Sequence, residues 1–81
     1  MDKTDEILTI TQEECGELVQ AISKIRRFGM DSNRDNLVKE SGDLLCMIDL
    51  LIENQIISKD ELESAKQSKR DKLIIWSNIF K

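Results

Sequence analysis

Two short segments of the chain each place acidic residues around a glycine. The first is Glu13-Glu14-Cys15-Gly16-Glu17 and the second is Glu40-Ser41-Gly42-Asp43. Read from Glu14, both segments run acid, small residue, glycine, acid, so that two carboxylates lie three residues apart. Residues three apart share one face of an α-helix, so each segment could offer two ligands to one cation. Ligand sets made only of oxygen suit Mg²⁺ or Mn²⁺.

The residue types that the chain lacks restrict its chemistry. There is no histidine, and Cys15 and Cys46 lack the paired spacing of a zinc site. Without histidine, the Ser-His-Asp triad and di-iron sites built on Glu-x-x-His are excluded. The remaining catalytic tools are carboxylates, lysines, water and a metal ion.

Composition and charge place the chain in a broad class. The chain has 81 residues, of which 40% are hydrophobic and 35% charged. We therefore expect one folded domain over residues 1–81 that does not span a membrane. The polar start, Met1-Asp2-Lys3-Thr4-Asp5-Glu6, does not resemble a signal peptide, so we expect a cytoplasmic protein. The net charge of −4 argues against nucleic-acid binding, because neutralisation of phosphates supplies most of that affinity.

Apolar residues recur at spacings of three and four throughout, which predicts an all-α fold. The first two predicted helices cover Thr4–Phe28, stopped by Gly29, and Arg34–Glu53. Ser58-Lys59-Asp60-Glu61 is a capping box that opens a third helix, which continues to about Trp76. The short connections predict an antiparallel helical hairpin plus a third helix.

The second predicted helix is apolar around most of its circumference. Its apolar residues are Leu37, Val38, Leu44, Leu45, Cys46, Met47, Ile48, Leu50, Leu51 and Ile52. A helix of this kind must be covered on several sides, and a chain this small offers few neighbours to cover it. We therefore expect a homodimer or homotetramer that completes a four-helix-type bundle, with this helix at its centre.

The helical period of about 100° per residue places the acids relative to the apolar faces. The apolar face of the first helix consists of Ile7, Ile10, Leu18, Ala21, Ile22, Ile25 and Phe28. Glu14 falls within this face, Glu17 lies on its margin and Glu13 lies further out. Glu40 and Asp43 fall among the apolar residues of the second helix. Acid triplets often form only a solvated ridge, but these positions predict that two to four carboxylates point inward, where burial requires a metal ion or a basic partner.

Two further features accompany the acids. Gly16 and Gly42 each cost about 1 kcal/mol relative to alanine inside a helix, so they indicate either a close helix crossing or room for a ligand. On the third helix, Lys69 lies within an apolar stripe between Lys66 and Lys72. That stripe consists of Leu62, Ala65, Leu73, Trp76 and Phe80. Such lysines could clamp a metal-bound polyphosphate, pair with the acids, or simply lay apolar stems on the surface.

The ordered set of motifs resembles the MazG-like all-α nucleoside triphosphate pyrophosphohydrolases, in particular their short single-domain phage and bacterial members. Glu13, Glu14 and Glu17 match the EExxE element, and Glu40 with Asp43 match the ExxD element. Three further segments also match: Arg27-Phe28-Gly29, Gly42-Asp43-Leu44-Leu45, and Lys69-x-x-Lys72-Leu73 ahead of Trp76. The resemblance therefore covers nearly the whole chain.

This resemblance implies hydrolysis of a nucleoside or deoxynucleoside triphosphate to the monophosphate and pyrophosphate. The Mg²⁺ ligands that it implies are Glu14, Glu17, Glu40 and Asp43. Water activated at the metal would attack the α-phosphorus, and Glu13 or Glu17 would help to take its proton.

The resemblance also implies a role for the third helix, in which Lys66, Lys69 and Lys72 hold the outer phosphates. Trp76 could stack on the base, although a tryptophan at helical spacing is more often a core residue. The family's bundle unit usually has four helices, so the fourth would come from a stub after Trp76 or from a partner. The base, the sugar and the number of metal ions stay open.

A non-catalytic helical module that forms a regulatory dimer is the alternative. It would explain the short chain and the wide apolar surface of the second helix. It would not explain acids at four matched positions near apolar faces.

Overall fold

The computed structural model describes all 81 residues, which form three α-helices and no β-strand. Helix α1 spans Lys3–Phe28, α2 spans Arg34–Glu53 and α3 spans Lys59–Trp76. These bounds confirm the predicted all-α class and the three predicted helices. None of the three is both long enough and apolar enough to cross a membrane.

Local capping interactions explain where the helices begin and where α1 ends. Helix α1 starts after Asp2, whose carboxylate accepts a hydrogen bond of 2.8 Å from the backbone N–H of Asp5. It ends at Gly29, where a φ of 95° favours a residue without a Cβ atom. At the start of α3, Ser58 and Glu61 each accept the other's backbone N–H at 3.1 Å, which is the predicted capping box.

Helix α2 ends in a Schellman motif, which satisfies two of its last carbonyl groups. The backbone N–H of Ile56 donates to the carbonyl of Leu51 at 2.9 Å, and that of Gln55 donates to Ile52 at 3.0 Å. Gln55 occupies the left-handed position of this motif, with a φ of 62°. Glutamine is strained in that conformation, because its Cβ crowds the backbone.

Helices α1 and α2 pack against each other as the predicted hairpin, connected by the turn around Asp31–Asn33. The core lies near the open end of the hairpin, where Ile7 of α1 meets Met47 and Leu51 of α2. Partly buried side chains surround this core: Ile10, Ile48, Leu50, Ile56 and Ile57. Ala21 is also buried, so each half of α1 contains a buried residue.

The three helices form a flat, open arrangement rather than a compact bundle. The chain measures 39 × 30 × 15 Å. The radius of gyration is 15.1 Å, whereas a compact chain of this length would have about 12 Å. Only five of the 81 residues are buried, so a single chain covers few of its apolar side chains.

Helix α3 makes few contacts with the hairpin and has no buried residue. In its predicted apolar stripe, Leu62 and Leu73 are half-buried, and the other members are exposed. Trp76 is 82% exposed, so it is not a core residue of this chain. Residues 77–81 form a turn and contain no fourth helix.

Candidate metal centre

Three carboxylates from two helices converge in the hairpin. Glu14 comes from the middle of α1, and Glu40 and Asp43 come from the first half of α2. One oxygen from each lies within 4.8 Å of the corresponding oxygen of the other two. Glu40 is only 6% exposed, and Glu14 and Asp43 are half-buried. The inward direction predicted for these three side chains is therefore observed.

The register of the two helices explains why these acids point inward. Glu14 lies seven residues after Ile7 and seven before Ala21, the two buried residues of α1. Glu40 lies seven residues before Met47, which is buried on α2. Residues seven apart lie on nearly the same face of a helix. The two glutamates thus occupy positions at which the packing pattern calls for apolar residues.

The cluster contains carboxylate oxygens that no protein group satisfies. The Oε2 atoms of Glu14 and Glu40 are both buried without a hydrogen-bond partner. A buried charged oxygen without a partner is costly, and nearby like charges add to that cost. A hard divalent cation would satisfy both atoms, and three carboxylates form the oxygen-only ligand set that Mg²⁺ and Mn²⁺ prefer. The residues present therefore fit a divalent metal.

The pKa of Glu14 also indicates that the cluster lacks compensating positive charge. Burial is the largest cause that raises the pKa of Glu14 above its usual value, and the charges of Asp43 and Glu40 raise it further. The charge of Lys39 opposes this shift but does not cancel it. The ionised form of Glu14 is thus disfavoured in the metal-free chain, and a bound cation would favour it.

Lys39 is a member of the cluster that the sequence analysis missed. Its Nζ donates hydrogen bonds to Oε1 of Glu40 at 3.1 Å and to Oδ2 of Asp43 at 3.0 Å. The bond to Asp43 and then the bond to Glu40 are the main causes that raise the pKa of Lys39. The side chain is 67% exposed, so the ammonium group lies at the rim of the cluster. The signal in the sequence was the spacing of four residues between Lys39 and Asp43.

The other two predicted acids lie outside this group. Glu13 and Glu17 are both exposed on α1. Glu17 is close enough to Glu14 for its charge to raise the pKa of that carboxyl group. The predicted roles of Glu13 in proton transfer, and of Glu17 in proton transfer and metal ligation, stay predictions.

Within one chain, the lysines of α3 form no ion pair with the carboxylate cluster. Lys66 pairs with Glu63 of its own helix at 3.2 Å and lines a groove of about 630 Å³ between α2 and α3. Lys69 and Lys72 are exposed. The phosphate-binding roles of the three lysines and the base contact of Trp76 stay predictions.

The two helical glycines are not required by the crossing of α1 and α2. A Cβ atom built at Gly16 or Gly42 would meet nothing within 4 Å. Close contact between these two helices therefore does not account for the glycines. The other interpretation, that they leave space beside the acids, agrees with this geometry.

The fold and the site place the chain among all-α helical proteins with an acidic cluster, and the comparisons with known proteins define the family. The model of the MazG nucleotide pyrophosphohydrolase domain matches residues 3–74. This match covers all of the hairpin and nearly all of α3, so the chain belongs to the MazG family. No curated protein and no solved structure matches the chain significantly. Membership of the family indicates a nucleotide pyrophosphohydrolase.

Proposed function

We propose that this chain hydrolyses a nucleoside or deoxynucleoside triphosphate to the monophosphate and pyrophosphate, with Mg²⁺ or Mn²⁺ as its cofactor. The observation that carries the proposal is the convergence of Glu14, Glu40 and Asp43 with two buried, unpartnered oxygens in a member of the MazG family. An interaction module would gain nothing from this arrangement, because the unpartnered charges only destabilise the metal-free fold.

In this proposal, the buried oxygens of Glu14 and Glu40 hold the cation together with Asp43, and Glu17 completes the set from the exposed side. When bound, the metal supplies positive charge that stabilises the negative charge developing on the phosphate and lowers the pKa of water. The burial of Glu40 restricts the orientations that its side chain can adopt. The chain thus provides a preorganised set of ligands.

The proposed reaction is a single displacement at the α-phosphorus. The oxygen of a water molecule bonds to this phosphorus while the bond to the oxygen bridging the α- and β-phosphates breaks, and pyrophosphate leaves with the bridging oxygen. The exposed carboxylate of Glu17 or Glu13 takes the proton of the water. Glu13 is adjacent to Glu14 in the sequence and Glu17 lies three residues after it, so both lie within one helical turn of the cluster, which supports this assignment.

We further propose that the site is completed by association of copies of this single domain into a homodimer or homotetramer. Val38, Leu45 and Ile52 lie seven residues apart on α2 and form a second apolar stripe, away from the face that buries Glu40. Leu45 is 62% exposed in one chain. A partner that covers this stripe would complete a four-helix-type bundle. The assembled site would then use Lys66, Lys69 and Lys72 for the outer phosphates and Trp76 for the base.

The test is a panel of ribo- and deoxyribonucleoside triphosphates incubated with Mg²⁺ and scored for pyrophosphate release. We expect release from at least one nucleotide, a loss of about a hundredfold or more in Glu40→Gln, and little change in the matched control Glu53→Gln. Glu53 is an exposed acid of the same helix. Mg²⁺ should also raise the melting temperature of the wild type and the control but not that of Glu40→Gln.

Two outcomes would overturn the proposal. One is a folded protein that releases no pyrophosphate from any nucleotide and does not respond to Mg²⁺, as expected of the non-catalytic module. The other is unchanged turnover in Glu40→Gln.

A further inference from the structure

We propose that Lys39 is an internal counter-ion of the carboxylate cluster, which a divalent cation must displace, so that Lys39 sets how tightly the chain binds its metal. This inference rests on the proposed function, because it concerns the same carboxylates.

In the metal-free chain, Lys39 is the cation that pairs with the carboxylate cluster. Its ammonium group bridges Glu40 and Asp43, at 3.1 and 3.0 Å. No other lysine or arginine forms an ion pair with the cluster. When all three carboxylates are ionised, one ammonium group leaves two negative charges uncompensated, and Glu14 forms no ion pair. One ammonium group is therefore insufficient for this cluster.

The geometry makes simultaneous occupation by metal and lysine unfavourable. The ligand oxygens of Glu14, Glu40 and Asp43 lie within 4.8 Å of one another, and the Nζ of Lys39 is hydrogen-bonded to two of these three residues. An ion held by all three carboxylates would lie only a few ångströms from this ammonium group. The two cations repel, and the divalent ion attracts each carboxylate with twice the charge of the ammonium. The metal therefore displaces the lysine.

The ammonium group of Lys39 has a free path out of the cluster into solvent. Its side chain is 67% exposed and hangs on a flexible four-carbon stem, so its ammonium group can move into solvent. The Glu40 carboxylate that it leaves is buried, with a side-chain exposure of 9%, so the divalent ion must take the place of the ammonium group there. Loading the site is then an exchange of one cation for another.

If Lys39 instead oriented the carboxylates for the metal, its removal would weaken metal binding. Lys39 bonds to Oε1 of Glu40 and leaves Oε2 free, so it could instead hold the carboxylates in the orientation that the metal requires. An exposed lysine is a weak restraint, whereas its repulsion of a divalent ion acts at close range. The repulsion is the larger effect, so removal of the charge should tighten metal binding.

The test is a titration of the metal-stripped protein with Mn²⁺ in the absence of nucleotide, with free Mn²⁺ measured by electron paramagnetic resonance. We expect the Kd of Lys39→Met to fall by about tenfold relative to the wild type. Lys39→Gln, which keeps a polar end group without the charge, should behave in the same way. Lys39→Arg should keep the wild-type affinity.

Lys24→Met is the matched control, because it removes the same charge from an exposed lysine of α1 that forms no ion pair. Its Kd should stay within about twofold of the wild type, since distant surface charges are largely screened. Unchanged or weaker Mn²⁺ binding in Lys39→Met and Lys39→Gln would overturn the role of Lys39 and leave the proposed function standing. A wild type that binds no Mn²⁺ would overturn both.

Discussion

Glu14 is the residue whose charge is least compatible with the metal-free fold. Its pKa is raised mainly by burial and further by Asp43 and Glu40. A carboxyl group with a raised pKa in the folded state binds its proton more tightly when folded than when unfolded. Its contribution to stability is therefore fully present below the unfolded pKa and is lost as the pH rises through the folded pKa.

This sign gives a prediction for Glu14→Gln, which resembles the protonated acid. In EDTA at neutral pH, the variant should melt at a higher temperature than the wild type. The difference should shrink toward zero as the pH falls below about 4, where both proteins carry a neutral side chain at this position. Calorimetry over this pH range measures the effect, with Glu6→Gln of the exposed first turn as the control. A lower melting temperature for Glu14→Gln at neutral pH would show that Glu14 has a stabilising partner.

The sequence predicted part of this cluster and missed the rest for a physical reason. The inward direction of Glu14, Glu40 and Asp43 followed from helical periodicity, because the backbone fixes where each Cβ points. The ion pairs of Lys39 did not follow, because an exposed lysine has many rotamers and the apolar pattern selects none of them. Periodicity also placed Glu17 at the margin of the apolar face of α1. Such a position is compatible with burial or exposure, so the exposure of Glu17 in one chain could not be predicted.

At the scale of the elements, local signals predicted the helix ends closely. The capping box at Ser58 and the glycine stop at Gly29 were both observed where expected. Helix α1 starts one residue before the predicted Thr4, because Asp2 serves as the N-cap. The end of α2 was predicted near Asn54, but its Schellman motif was not, because its left-handed residue is a glutamine rather than a glycine.

That unusual residue gives a prediction about stability. Gln55→Gly should stabilise the fold by about 0.5–1 kcal/mol, because glycine adopts a positive φ without crowding by a Cβ atom. Urea denaturation with an unchanged m-value measures the difference. Gln12→Gly is the matched control on the exposed face of α1, where the same substitution should destabilise by about 0.5–1 kcal/mol. Equal destabilisation by both substitutions would contradict the explanation.

At the scale of the whole molecule, the position of α3 could not be predicted from the sequence. Its apolar stripe is interrupted by Lys66, Lys69 and Lys72, and the single chain buries none of its residues. The caps predict only where this helix begins and ends along the chain. Its position relative to the hairpin depends on packing contacts, of which a single chain makes few. The structure of one chain therefore leaves α3 beside the hairpin, with an open groove along α2.

The second apolar stripe of α2 gives the last prediction, which concerns assembly. The wild type should sediment as a dimer or tetramer at micromolar concentration, because Val38 and Leu45 are exposed and Ile52 is only half-buried in a single chain. Leu45→Lys should weaken this association by at least about tenfold, since burying an unpaired ammonium group costs well over the 1.4 kcal/mol that corresponds to that factor.

Ser64→Lys is the control for this substitution, because it adds the same charge at an exposed polar position of α3. It should sediment like the wild type. If the wild type were a well-folded monomer, or if Leu45→Lys assembled as tightly as the wild type, the stripe would not be an interface.

Nucleotide hydrolysis measured on the same samples then connects assembly with function. If a partner chain completes the site, activity should fall together with the loss of association, and it should recover at concentrations that restore the dimer or tetramer.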